Sequence, residues 1–315
     1  MSAEFNLWEK PIADEIYMIA GWRQWADGGG VSSGLPQYLV DLTNARKIGE
    51  ISPDGYYLFQ LPGAQQFLRP IVRHNNGITE SLQSMRNTFY YTELNGKGIV
   101  IFLGDEPHMD AERYVRSLLA AAKELNAKQI IHLGGVYGQV PYDKQRHVHG
   151  VFSLPHLKDT LDELSVEASN YHGPSSIGSY LCKRAGEQNV ESIGLYAFCP
   201  IYQFGGLENN EKNIIIDQDH MAWLTVVERI NHLLDVDFDL DELEDLAVEL
   251  VNQVDARIAT LGRKFPEMHL EDFFERLRGN FEEQSFTPLD DIWTDSLNKL
   301  GDEFFPGDDP AEDES

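Results

Sequence analysis

The sequence predicts an α/β protein built on a mixed sheet, with a helical appendage following it. Three stretches carry that reading. Between Gly98 and Pro141 lie an apolar run (Ile99 to Leu103), an amphipathic segment and a second apolar run (Ile130 to Leu133). Uninterrupted β-branched runs suit strands covered on both faces, so this is a βαβ unit with parallel strands and a right-handed crossover. Elsewhere, short aromatic or β-branched runs between Gly, Pro and Asn suit antiparallel or edge strands. From Asp239 onward the apolar residues recur only at helical spacing.

In chain order, Glu15 to Ala20 predicts the first strand, ending in the loop Gly21 to Gly30, with a helix before Asp41. Pro36 must sit near that helix's start or kink it. Tyr56 to Leu61, Arg69 to Arg73 and Thr88 to Glu93 predict the short strands. In the βαβ helix, Asp110 is placed to cap, and Ala111, Tyr114, Val115, Leu118, Leu119, Ala122 and Leu125 form one stripe. Gly134 and Gly135 end the second βαβ strand on this reading, and Arg146 to Ser153 adds another strand. A helix through Ile177, Tyr180, Leu181 and Ala185 leads to the strand Ser192 to Cys199, closed by Pro200, and then to a helix from about Gln218 to Leu234.

The α/β body is therefore expected over 1–234. A helical appendage over 235–303 should hold one helix along Leu240, Leu243, Ala247, Leu250, Val254 and Leu261, stopped by Pro266. A second follows through Leu270, Phe273, Phe274, Leu277 and Phe281, and a third from Pro288 to Leu300. The narrow apolar seam of the first suits packing within the chain or between subunits. Residues 304–315 read as a disordered acidic tail.

Charge bounds the partners. Of the net −27 over 315 residues, −19 falls between Asp235 and Ser315 (25 Asp and Glu against 6 Lys and Arg). Nucleic acid and anionic membrane need clustered cations, so neither is expected, whereas a basic protein partner is compatible. No apolar stretch has the length of a membrane span, and Met1 to Lys10 lacks a secretory pattern. Cys182 and Cys199 read as reduced core thiols of a cytoplasmic protein.

Chemical motifs are sparse. The Trp22 to Gly30 loop stands where α/β proteins bind phosphate, yet fits neither GxxxxGK[ST] nor GxGxxG. It is either a phosphate site or a tight turn, with Trp22 and Trp25 available for an oligomer contact. His147 and His149 share a strand face but lack a third ligand at defined spacing, with His132 and His156 the unsupported candidates. Ser32, Ser33, Ser175 and Ser176 lie at helix starts, where Ser caps, and none stands in a G-x-S-x-G elbow. Arg69, Glu106 and Arg146 adjoin strand ends and could line one cleft, or form surface salt bridges. No catalytic set, metal site or cofactor is predicted.

The landmarks Gly21-Trp22 with Asp27-Gly28, Asp54-Gly55-Tyr56, Arg69-Pro70, Glu106-Pro107, Leu133-Gly134-Gly135, Val140-Pro141, Gly173-Pro174 and Ala197 to Tyr202 occur in an order that resembles the proteasome-assembly-chaperone-two-type family over about 13–234. The resemblance implies a three-layer α/β sheet of phosphorylase or hydrolase type, a homo-oligomer with a trimer as one candidate, and a chaperone role through contacts with proteasome subunits or another protein. Three departures stand out. Tyr142-Asp143 replaces the His that usually follows Val-Pro, and Pro200-Ile201-Tyr202 replaces Pro-His-Tyr. Archaeal chaperones of this kind are expected to end in a hydrophobic-Tyr-any docking tripeptide, where this sequence has Asp313-Glu314-Ser315. Loss of both imidazoles removes an acid/base pair, favouring a non-enzymatic protein. The alternative is a small-molecule enzyme of phosphorylase or hydrolase type with its pocket at the strand ends.

Overall fold

The apolar runs become the centre of a ten-stranded mixed sheet in the computed structural model, which describes residues 5–59, 69–205, 210–283 and 286. Its strands are β1 (Phe5–Leu7), β2 (Ile16–Arg23), β3 (Arg46–Ile51), β6 (Asn87–Leu94), β7 (Lys97–Asp105), β8 (Ala127–Gly138), β9 (Val148–Phe152), β10 (Glu167–Ala168), β11 (Glu191–Gln203) and β12 (Asn213–Ile215). They run in the order β1-β3-β6-β7-β2-β8-β11-β9-β10, with β12 on the far part of β11. Strands β7, β2, β8 and β11 are mutually parallel, while β1, β3 and β6 continue the sheet antiparallel on one side and β9 pairs antiparallel with β11 on the other. Strands β4 (Ile71–Asn75) and β5 (Ile78–Gln83) form a separate hairpin.

The βαβ expectation holds in direction: β7 and β8 are parallel, with β2 between them. Their connecting helix α2 (Ala111–Glu124) is capped by Asp110, whose carboxylate accepts from the Arg113 N–H. It buries Tyr114, Val115, Leu118, Leu119 and Ala122 against Met18, Ala20, Val100, Phe102 and Ile130 of the sheet. Helix α4 (Ile177–Glu187), capped by Ser176, adds Ile177, Leu181 and Ala185 to that core. On the opposite face lie α1 (Gly34–Leu42) and α5 (His220–Leu234). A Cβ on Gly21 of β2 would meet Ser32 and Pro36, and one on Gly34 would meet the Trp223 ring of α5. Helices thus cover both faces, which is why the central strands are apolar throughout. Pro36 sits in the first turn of α1, where backbone N–H groups have no intrahelical partner. The short helix α3 (Leu157–Glu163) follows β9.

Three local expectations are corrected. Gly134 and Gly135 do not end β8, which runs on to Gly138. There the glycines admit neighbours: a Cβ on Gly134 would strike the Tyr196 ring and one on Gly135 the Gly28 carbonyl. Pro200 does not close β11, because its partner there is β8, which pairs through Gly138, and β12 takes over from Ile201. Tyr56 to Phe59 is not a strand: the chain turns at Gly55, whose φ is +80°, and Tyr56 enters the core edge-on to Tyr114.

Helices α6 (Asp241–Lys264) and α7 (Leu270–Gly279) follow the body, with Pro266 in a 3-10 turn between them. Leu250, Val254, Leu261, Leu270 and Phe274 form one buried cluster with Tyr142, Tyr202, Ile214 and Ile216. The helix expected from Pro288 and the tail over 304–315 lie outside the described residues.

Candidate functional site

Because β2, β7, β8 and β11 are parallel, their C-terminal ends meet at one rim, the usual place for ligands in α/β sheets. The rim gathers Arg23, Trp25, Asp27 and Gly28 after β2, Asp105, Glu106 and Pro107 after β7, Tyr137 and Pro141 after β8, and the later turns of β11. Each charged group there has a partner.

Asp105 is buried at the end of β7. Its carboxylate accepts from Arg23 Nε (2.5 Å) and Nη2 (2.8 Å) and from the Arg86 N–H (2.6 Å). The Arg23 guanidinium is held more basic than usual, first by its hydrogen bond to Asp105. Asp27 accepts from the N–H groups of Ser32 (3.1 Å) and Ser33 (2.9 Å) and from the Ser33 hydroxyl (2.7 Å). Its carboxyl is pushed up by burial, opposed by those bonds. These N–H groups precede α1 and are the ones a phosphate would use. A carboxylate already fills them and would repel an anion, so the Trp22 to Gly30 loop is a tight turn. Trp22 is sealed inside it, donating from Nε1 to Tyr114 Oη at 2.9 Å, whereas Trp25 is 54% exposed.

Glu106 reaches the start of α4, where Oε1 accepts from the Ile177 N–H at 2.6 Å. Burial pushes its carboxyl up, and N–H groups of Ile177 and Trp25 pull it back. Arg146 lies wholly buried in a bidentate pair with Asp219, Nε to Oδ2 at 2.9 Å and Nη2 to Oδ1 at 3.1 Å. It also donates to the carbonyls of Pro141, Tyr142 and Lys144, and Asp219 caps α5 through the Ala222 N–H. Arg146 thus pins the loop after Pro141 to α5 and faces no cleft. Arg69 is exposed, its guanidinium 4.8 Å from the Phe59 ring centre, next to Pro70 at the base of the hairpin. The structure does not bring Arg69 and Arg146 into one pocket. Sequence reasoning singled out Arg146 without its counter-ion, which stands 73 residues away.

The remaining landmarks serve packing or turns. Gly28 and Gly135 lie against each other at the isolated bridge between Asp27 and Gly135. Gly173 and Pro174 form an exposed turn before α4, with Tyr171 donating to the Pro174 carbonyl. Tyr202 is buried and donates to the Val140 carbonyl at 2.5 Å. Tyr142, at the position of the missing imidazole, donates to Asp255 of α6 and meets Phe274 of α7 edge-on at 5.4 Å. Where an acid/base residue was expected, the chain has placed an anchor for the C-terminal helices.

His147 stacks on Phe281 and bonds the Glu282 carbonyl, while His149 approaches Glu167 at 3.5 Å. Among the described residues no group of three or more His, Cys, Asp or Glu could hold a metal ion. Cys182 and Cys199 are both buried and unpaired with each other. Among the described residues no helix is long and apolar enough to cross a membrane. A groove of about 600 Å³ lies between β12 and α6.

Strands β1, β3, β10 and β12 and helix α3 were not read from the sequence, and of the β4–β5 hairpin only the first strand was expected. Its return strand is signalled by Asn76-Gly77, both with positive φ (48° and 82°), the pair a two-residue hairpin turn selects.

A mixed sheet with helices on both faces defines the class, an α/β protein whose parallel strands end at one rim. Within that class the family is specific: the chain belongs to the PAC2 family, whose model matches residues 22–258. A PAC2 family protein from Streptomyces avermitilis is 25% identical and superposes with a TM-score of 0.66, covering 77% of this chain and 95% of that one. A proteasome-assembly chaperone homologue of Mycobacterium tuberculosis is 20% identical (TM-score 0.65, 76% and 94% covered). The archaeal proteasome activator PbaB of Pyrococcus furiosus is 19% identical (TM-score 0.58, 81% and 99% covered). No curated protein matches.

Proposed function

We propose that this protein is a cytoplasmic, non-enzymatic homo-oligomer that works through protein contacts, in the manner of a proteasome assembly chaperone. One observation carries the reading: at the rim where an α/β enzyme would keep its reactive groups, Arg23, Asp27, Asp105, Glu106 and Arg146 are committed to the fold. Arg146 is spent on Asp219, Arg23 on Asp105, Glu106 on the start of α4 and Asp27 on the turn before α1. What faces outward there includes the side chain of Trp25 and parts of Val136 and Tyr137, surface suited to another protein. Two of the structural neighbours, a proteasome-assembly chaperone homologue and a proteasome activator, supply the kind of partner. The surface charge makes a basic face on that partner the natural complement.

The test has two arms. Mixed with proteasome α subunits of its own organism, the full chain should shift on a native gel; free migration of both overturns the chaperone reading. A panel of nucleosides, nucleotides and phosphate should leave its melting unchanged. A ligand at a hundred times its Kd adds about 2.7 kcal/mol of stability, so a clear upward shift would instead reveal a small-molecule site.

A further inference from the structure

Two turns of this chain match in sequence and in shape. Asn76-Gly77 joins β4 to β5 and Asn95-Gly96 joins β6 to β7, and these are the two Asn-Gly pairs of the sequence. Each is a two-residue loop, closed by Asn75 opposite Ile78 in the first and by Leu94 opposite Lys97 in the second. All four residues have positive φ, 48° and 82° in the first and 50° and 77° in the second, the geometry for which hairpin turns select Asn-Gly. All four are exposed, and a Cβ on either glycine would meet nothing within 4 Å.

Asparagine before glycine carries a reaction of its own. With no Cβ on the glycine, its backbone nitrogen can reach the asparagine side-chain carbonyl carbon. The N–Cγ bond forms, the Cγ–Nδ2 bond breaks, and ammonia leaves with the glycine's amide proton. Water then opens the five-membered imide at either carbonyl, leaving aspartate or isoaspartate. Asn44, Asn126 and Asn189 share the positive φ but precede Ala45, Ala127 and Val190, whose Cβ atoms crowd the attacking nitrogen. Closing the ring requires rotation about the asparagine Cα–C bond, which a paired turn resists. The reaction therefore runs through the opened turn, and its rate follows how often the flanking strands part.

There the two pairs differ. Strands β6 and β7 lie inside the ten-stranded sheet, in unbroken register from Asn87 opposite Gly104 to Leu94 opposite Lys97, with Phe89, Tyr91 and Ile99 to Leu103 buried. Strands β4 and β5 form a sheet of their own, with a register shift between Arg73 and His74 and every strand residue exposed. A lone two-stranded hairpin is marginal in water. From this contrast we propose that Asn76 is a site of self-modification by water, converting to aspartate or isoaspartate in the native protein while Asn95 is spared. The isoaspartyl product puts an extra carbon into the backbone of a two-residue loop, so β4–β5 loses the register that loop sets.

The full chain is incubated at neutral and at mildly alkaline pH, natively and in urea, and then digested for peptide mapping by mass spectrometry with isoaspartate resolved from aspartate by chromatography. In urea both turns are open, so the ratio of the two rates there gives the contribution of sequence alone. Natively, Asn76 should outpace Asn95 by at least about tenfold beyond that ratio, which about 1.4 kcal/mol of difference in opening free energy supplies. It should also convert faster at the higher pH, where more of the attacking nitrogen is deprotonated. Native rates in the same ratio as in urea, or an Asn76 that stays intact natively while it converts in urea, overturn the proposal. A second variant tests the opening itself. Val72 and Leu82 stand directly opposite each other, within reach of a disulfide, and the native cysteines are buried, so Val72→Cys and Leu82→Cys are combined in one chain. Oxidised, it should convert Asn76 nearly as slowly as Asn95; reduced, at the wild-type rate. Conversion that the disulfide leaves unchanged means that the closed turn reacts, and overturns the inference.

Discussion

The buried Arg146–Asp219 pair joins the loop after Pro141 to the first turn of α5 with no exposure on either side chain. Removing one member of such a pair leaves the other charged and dry, a cost of roughly 3–5 kcal/mol. Arg146→Ala should therefore lower stability by about that amount in urea denaturation, without the small effect expected of a surface ion pair. His132 gives a second prediction at this scale. Its ring is buried beside Gly178, Gly194 and Tyr196 with neither nitrogen hydrogen-bonded, and burial pushes its pKa down to about 3. The folded chain keeps it neutral while the unfolded chain takes up a proton below the ordinary value of about 6.5. Its contribution is thus complete above about pH 6.5 and falls as pH drops toward 3. Between pH 7 and pH 5, wild type should lose ~2 kcal/mol more than His132→Leu, read as the difference between their denaturation curves. The sequence made Asp110, Ser176 and the stripe of α2 legible because each signal is local. It could not pair Arg146 with Asp219, or show His132 trapped between two glycines, because those relations exist only across the sheet.

Among the elements, the central strands and helices were legible wherever period and burial agree, as in β7, α2 and β8. Glycine and proline misled where they serve packing instead of punctuation. Gly134 and Gly135 sit inside β8 to admit Tyr196 and the Gly28 backbone, and Pro200 rides within β11. The hairpin shows the reverse: its Asn76-Gly77 signal was present, but β5 has no buried residue to betray its period. The α6–α7 helices read as an appendage because their acidity differs from the body. Their apolar stripe is nonetheless satisfied by the body's own Tyr142, Tyr202, Ile214 and Ile216. Phe274 meets Tyr202 edge-on at 4.8 Å and Tyr142 at 5.4 Å. Phe274→Ala should cost about 3–5 kcal/mol and loosen α7 first, seen as faster hydrogen exchange over 270–279 than over β7.

For the whole molecule, the candidate chemical site was legible as a place and not as a role. Parallel strands implied a rim, and Glu106 lies on it, but the partners that spend its charges come from α1, α4 and α5 and are invisible to spacing. A rim closed in this way, on an acidic body that belongs to the PAC2 family, makes protein contact the central claim. Affinity capture of the tagged full chain from its native lysate tests this most directly, at low and high salt with mass spectrometry as the readout. The account predicts proteasome subunits enriched at low salt and depleted at high salt, since contacts to an acidic surface are screened within about 10 Å at 0.1 M. Recovery of the bait alone at both salts would contradict it.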